Sequence, residues 1–257
     1  MKTLILVFGV CLAHAVNLAA VDVVTALPRL RVVQGDVATL AAQFGGGSSP
    51  QPTFTVQNVS NGQTMGQVLQ SNSGSLQWSF DSTAATPNQL QVVELITAAE
   101  GSVSDRKRFI LEIVQATPRQ QWLQQFFGSS AEVPEAASAA DPDSDGRTNL
   151  EEFAFGSNPK SSNDAQRVNV EAVTGSGAVE AMRAVFRRRK DRDTVGLSYQ
   201  VEFSSDLSDW TLSESSPSII SEDGTFEQVG LQFPILPNGK QSRFFRIQLQ
   251  QPITPAN

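Results

Sequence analysis

The sequence predicts a mainly β chain: two antiparallel β-sandwich domains joined by a short helix and an acidic loop. Three observations carry that prediction. Apolar residues fill 40% of the 257 positions and charged residues only 18%. Cores can therefore be buried while Ser, Thr, Gly, Gln and Asn cover the surface, as they do on short strands joined by polar turns. Stretches of apolar/polar alternation are punctuated by turn clusters at intervals of about 8–12 residues, the spacing of half-buried strands. The pattern occurs on both sides of one helical stretch, and the length suffices for about two domains of ~100–150 residues each.

The first element is a leader. Met1-Lys2 supplies one positive charge, a short apolar run follows, and Ala13-His14-Ala15 and Ala19-Ala20 offer small-residue cleavage sites. This is the layout of a secretory signal peptide over residues 1–20, cut after Ala15 or Ala20. The apolar run is shorter than the ~20 residues of a membrane span. Phe8-Gly9-Val10 ahead of Cys11 also lacks the small residues of a lipid-attachment site. Cleavage removes Lys2, Cys11 and His14, the sole cysteine and the sole histidine. Eighteen cationic side chains against 26 acidic ones then leave a net charge of −8, from −7 for the whole chain. A mature chain without imidazole or thiol has no Ser-His-Asp triad, no His-ligated zinc, no thiolate nucleophile and no disulfide. The expectation is a protein that is not an enzyme, placed outside the cell, at its surface or in the periplasm. With one short basic run and a pI near 4.8, no nucleic-acid partner is expected.

Residues 21–117 read as short strands. Val37 to Phe44 follows the turn Gln34-Gly35-Asp36. Thr53 to Asn58 ends at Asn61-Gly62, and Ser75 to Phe80, Gln89 to Ala98 and Arg108 to Val114 complete the set. About a hundred residues and seven strands resemble an immunoglobulin-like sandwich. The resemblance is architectural, since the cysteine pair and a tyrosine corner are both missing.

Residues 118–165 read as a helix plus a loop that link the sandwiches. Thr117 can cap the helix, Pro118 sits in its first turn and Gly128 stops it. Trp122, Leu123, Phe126 and Phe127 form its apolar stripe, which fits packing on a neighbouring sandwich better than a sugar platform. Ser129 to Ala140, rich in Ala, Ser and Glu, reads as linker. Residues 166–250 return to strands: Met182, Ala184 and Phe186 alternate with Arg183, Val185 and Arg187. Leu197, Tyr199, Val201 and Phe203 alternate with polar neighbours, so one face is core and the other wet. Thr225 to Phe233 and Arg243 to Leu249 continue the pattern around Pro237-Asn238-Gly239-Lys240. Arg187-Arg188-Arg189-Lys190 with Arg192 reads as a hairpin tip of mixed charge, and Trp78 and Trp210 as core. Residues 251–257 form a tail without a hydrophobic anchor.

The chemistry lies in Asp141-Pro142-Asp143-Ser144-Asp145-Gly146-Arg147-Thr148-Asn149-Leu150-Glu151-Glu152. It fits the twelve-residue EF-hand loop pattern D-x-D-x-D-G-x5-E. Asp141, Asp143 and Asp145 converge three carboxylates. Gly146 permits the turn that aims the Arg147 backbone carbonyl at the same point. Asn149 contributes directly or through water, and Glu152 can give two oxygens. Carboxylates packed so closely repel unless a cation sits among them, and an all-oxygen donor set favours Ca²⁺. There is no second such loop, so switching by paired helix opening is not expected.

Ala140 to Pro159 resembles the calcium loops of thrombospondin type 3 repeats. It is also similar to single loops in large secreted bacterial surface proteins, where such a segment joins a Trp-containing helix to a C-terminal β domain. Phe186 to Lys190, Tyr199 to Trp210 and Arg243 to Leu249 resemble parts of that domain. The resemblance implies an extracellular module stabilised by Ca²⁺. A dockerin carries two such loops, and this chain has one. The resulting expectation is a secreted, calcium-binding structural or adhesive protein in which Ca²⁺ stiffens an inter-domain linker. Its partner would be a protein or glycan at the cell surface, with no membrane span in the mature chain. The alternative is a carbohydrate-binding module of an extracellular polysaccharide system.

Overall fold

A computed structural model describes residues 22–23, 27–45, 52–70, 75–99, 102–163, 168–175 and 177–250. The leader with Cys11 and His14 and the tail 251–257 lie outside the described residues. Two compact units divide between Thr117 and Pro118, and each is described by itself.

The described residues of the first unit form eight strands: β1 (Asp22–Val23), β2 (Leu30–Val33), β3 (Val37–Gly45), β4 (Thr53–Asn58), β5 (Gln67–Gln70), β6 (Ser75–Asp81), β7 (Gln89–Ala99) and β8 (Ser102–Val114). They form two four-stranded sheets in the orders β1-β3-β6-β5 and β2-β8-β7-β4. Those orders are the two-sheet arrangement of an immunoglobulin-like sandwich. One pairing departs from the antiparallel expectation: β2 runs parallel to β8, Leu30 opposite Leu111. Parallel neighbours need a long connection, and nearly the whole unit lies between these two strands. The alternation read in the sequence does its work here. Leu40, Ala42, Leu76, Trp78, Val93, Leu95, Leu111 and Ile113 point inward and are buried. The Trp78 indole N–H donates to the Met65 carbonyl at 2.7 Å, which removes the cost of burying that donor.

The second unit begins with helix α1 (Pro118–Phe127), followed by a 3₁₀ turn (Pro134–Ala136) and helix α2 (Asn149–Phe155). Then come β9 (Val168–Gly175), β10 (Ala178–Arg189), β11 (Ser198–Ser204), β12 (Thr211–Leu212), β13 (Ser218–Glu222), β14 (Phe226–Gln232) and β15 (Phe244–Gln250). A four-stranded sheet β13-β14-β10-β9 and a three-stranded sheet β12-β11-β15, antiparallel throughout, share one apolar core. Ala184, Phe186, Val229 and Leu231 come from the first sheet, Val201 and Phe203 from the second.

That core also contains Trp122, Leu123, Ala136, Phe153, Ala154 and Phe155. The described residues 118–163 are therefore part of the second unit, which corrects the linker reading. The reason is main-chain hydrogen bonding that composition does not reveal. The Asn149 amide N–H donates to the Ala140 carbonyl at 2.8 Å, and that of Leu150 donates to Ser138 at 2.9 Å. Two other expectations change. Val185, assigned to the wet face, is fully buried. Its register partner is Gly230, over which Ile220 and the Arg183 stem converge. Trp210 is only half-buried, with the Arg246 guanidinium 4.3 Å from its ring centroid. The basic run is no bare tip: Arg187 to Arg189 end β10. Arg188 and Arg192 pair with Glu227, Arg187 with Asp223, and Arg189 with Asp191.

Candidate metal centre

The acidic loop ends in α2, and the start of that helix is doubly fastened. Thr148 caps it by accepting from the Glu151 amide, while Glu151 reaches back to the Thr148 amide at 2.7 Å, a complete capping box. Gly156, at φ 77°, closes it in the left-handed region. The loop folds on its own first aspartate: Asp141 accepts from the Gly146 amide at 2.9 Å and from the Asp145 amide at 3.3 Å. Each of Asp141, Asp143 and Asp145 thereby brings a carboxylate oxygen within 4.8 Å of the other two.

Asp145 is held from one side. Its oxygens accept from the Arg147 amide at 2.8 Å, from Arg147 Nε at 2.8 Å and from Arg147 Nη2. The Arg147 side chain holds the Asp145 carboxyl below the usual range. The sequence assigns the Arg147 backbone carbonyl to the ion; the contacts seen for Arg147 run through its amide and guanidinium.

Glu152 stands outside the aspartate trio yet senses it. Its side chain is fully buried. Burial first, then the charges of Asp143 and Asp145, push its carboxyl up to about 7. Ser157 Oγ, 3.4 Å from Glu152 Oε1, is the hydroxyl beside it. Asn149 is also fully buried. Its Nδ2 donates to the Glu135 and Ala137 carbonyls, each at 2.9 Å. Both partners can only accept, so the amide orientation is fixed and Oδ1 is directed away from them.

Among the described residues, three buried side-chain oxygens find no hydrogen-bond partner: Asp143 Oδ2, Asn149 Oδ1 and Glu152 Oε2. They belong to loop positions three, nine and twelve, three of the positions expected to ligate an ion. Buried polar atoms are nearly always paired, and a buried carboxylate left uncompensated costs about 3–5 kcal/mol. The donor set is all oxygen, carboxylate and amide carbonyl, which suits a hard divalent cation.

Sequence reasoning missed the supports. Arg119 lies 4.4 Å from the Trp122 ring centroid and reaches the Asn149 and Ala136 carbonyls at 3.4 Å. Tyr199 donates to the Ala154 carbonyl at 2.6 Å. All are distant in sequence from the loop they steady, so no local pattern marks them.

No protein-family model matches this chain, and no curated protein matches it. Among solved structures it is similar to a chimeric titin Z1Z2, at 16% identity over 38% of this chain and 96% of that one, with a TM-score of 0.31. It is likewise similar to the titin M3 domain, at 9% identity over 37% of this chain and 98% of that one, TM-score 0.31. A third is the N-terminal Ig1-2 module of a Drosophila receptor protein tyrosine phosphatase, at 16% identity over 38% and 50%, TM-score 0.31. Among the described residues no helix is long and apolar enough to cross a membrane.

Proposed function

We propose that this chain is a secreted structural or adhesive protein whose second unit is completed by one Ca²⁺ in the loop Asp141–Glu152. The observation that carries this reading is the set of three partnerless buried oxygens on Asp143, Asn149 and Glu152, next to three converging carboxylates. Asp141, Asp143, Asp145, Asn149 and Glu152 would hold the ion, with the Arg147 carbonyl as the expected sixth donor. When bound, Ca²⁺ supplies positive charge in place of a proton on Glu152. The chain's own residues do the rest: the Thr148–Glu151 box orients the helix start, and Asn149 ties it to the 135–137 carbonyls. Because the loop shares the second unit's core, the ion fastens α2 inside that unit instead of stiffening a linker. The N-terminal leader supports export to a calcium-rich space. A sugar-binding reading finds no such support: Trp78 and Trp122 are buried, and the face of Trp210 carries Arg246.

Titration calorimetry tests the reading. Single extracellular loops bind at ~0.1–1 mM, so the expected result is one site of that affinity. At about 5 mM Ca²⁺ the second unit gains roughly 1–2 kcal/mol over chelator. Asp143→Ala and Glu152→Gln abolish the response, and Glu152→Gln is more stable than the parent in chelator because it removes a buried charge. No heat of binding, or variants that respond like the parent, refutes it.

A further inference from the structure

We propose that the outer face of the β2-β8-β7-β4 sheet docks a protein partner whose surface is acidic around an apolar centre. Cross-strand partners in a sheet project to the same side. Val92 lies opposite Ile110, and Val59, whose amide donates to the Val92 carbonyl at 3.0 Å, continues the row. These three and Leu90 are exposed, Leu90 to 64%. The row forms an apolar band across β8 and β7 that reaches the turn after β4.

Charge flanks the band on both sides. On one side Glu94 accepts from Arg106 at 2.6 Å and from Arg108 at 3.0 Å. On the other, Glu112 meets Arg29 at 3.0 Å and Arg31 at 4.0 Å. Each carboxylate is shared by two guanidiniums, so each cluster keeps one surplus positive charge. The surplus is on the outside: Glu94 is 5% exposed and Arg108 64%, Glu112 28% and Arg31 70%. Residues 21–117 contain five Lys and Arg, and four of them, Arg29, Arg31, Arg106 and Arg108, stand on this one face. The opposite sheet of the same unit, where Thr39 pairs Ser79 and Ala41 pairs Gln77 on the outer side, carries none of them. Four of five cations gathered around an apolar band, in a chain of net charge −7, is a complement to an acidic partner. Interfaces favour Arg and apolar residues at their centres and deplete Lys.

Spacing sets the partner's pattern. Arg108 and Glu112 are four residues apart on β8, roughly 13 Å at 3.3 Å per residue. An extended segment with acidic residues at i and i+4 and an apolar residue at i+2 matches both clusters and the band.

The test uses the ¹⁵N-labelled full chain and a synthetic peptide of repeated Glu-Thr-Leu-Thr-Glu units. A Lys-Thr-Leu-Thr-Lys peptide and dextran sulfate serve as controls. The expected result is amide shifts centred on Leu90, Val92, Arg108 and Ile110 with the acidic peptide alone. Arg29→Ser/Arg31→Ser and Val92→Thr/Ile110→Thr should each weaken association at least about tenfold, with the first unit's melting temperature unchanged. No shifts at about 2 mM peptide, or shifts centred on Thr39 and Gln77, overturn the proposal. Equal binding of dextran sulfate that survives Val92→Thr/Ile110→Thr overturns it in favour of a bare polyanion. Sedimentation showing a dimer that this double variant abolishes overturns it in favour of a second copy.

Discussion

The two units enclose their aromatic anchors in different company. In the first, Trp78 is 1% exposed between two sheets and packs on Phe80 and Phe109. The unit's buried charged side chain, Glu94, lies on the outer face between two arginines. In the second, Phe153 is 2% exposed but comes from a helix, edge-on to Trp122, with the Arg189 guanidinium 4.2 Å from its ring centroid. Asn149, Glu152, Arg189 and Glu227 are all buried there. A four-stranded and a three-stranded sheet alone leave aromatic surface to cover, and the cover is a helix that starts in an acidic loop. Burying that helix carries Glu152 inside with it. The first unit thus neutralises its buried carboxylate with its own arginines, while under the proposed function the second leaves that task at Glu152 to a bound ion.

The largest expected effects test that separation directly. Trp78→Ala and Phe153→Ala each remove a buried aromatic ring and should each cost about 3–5 kcal/mol. Scanning calorimetry with calcium and with chelator distinguishes them. Trp78→Ala should lower a transition that ignores calcium, and Phe153→Ala one that shifts with it. If each variant lowered both transitions, or calcium raised both, the contrast between the units would be wrong.

Two glycines sharpen it at smaller magnitude. Gly66 and Gly156 both sit in the left-handed region, at φ 65° and 77°. A Cβ on Gly66 would lie 2.1 Å from the Ser79 carbonyl oxygen and 2.6 Å from Trp78 Nε1, whereas on Gly156 it would meet the Phe226 ring at 2.7 Å. Backbone and a hydrogen-bonded indole cannot retreat as a ring can. Gly66→Ala should cost about 2–4 kcal/mol and Gly156→Ala about 1–2 kcal/mol by urea denaturation. Equal losses would show that Phe226 is as immobile as main chain.

Legibility in the sequence follows the same division. β3, β4 and β6 alternate over six or more residues with one face in water, so their period stands out. β5 is four residues long and β13 is exposed at all five positions, and neither leaves a pattern to read. Val185 misleads because the cover over its side of β10 comes from Ile220 and an arginine stem, and alternation counts such an arginine as solvent-facing. The aspartates of the acidic loop are legible because loop chemistry is written in consecutive residues. Its supports are not: Asn149 to Glu135 and Ala137, Tyr199 to Ala154 and Arg119 to the Asn149 carbonyl join residues whose proximity only the fold creates. The segment 129–140 reads as linker because its binding groups are carbonyls, which every residue has.

The smallest predicted effect decides what an ion does for helix α2. Tyr199 stands on β11, in the three-stranded sheet, and its hydroxyl donates to the Ala154 carbonyl, one of the last carbonyls of α2, which have no partner inside the helix. The same oxygen accepts the Arg189 amide at 3.2 Å. Burial, the larger influence, pushes the Tyr199 hydroxyl up to about 12, so it remains a donor at any working pH. Tyr199→Phe leaves the ring packed against Phe155 but strips both backbone groups of a partner, at a cost of about 1–2 kcal/mol. Tyr199 holds the helix at its C-terminal end, while the loop and its ion would hold the N-terminal end. If calcium's role is to dock the helix, the two fasteners share one load, and Tyr199→Phe should cost more in chelator than in calcium. Thermal melts of parent and variant in both conditions measure the difference. An equal loss in both would mean that α2 is fully docked without the ion, whose effect then ends at the loop.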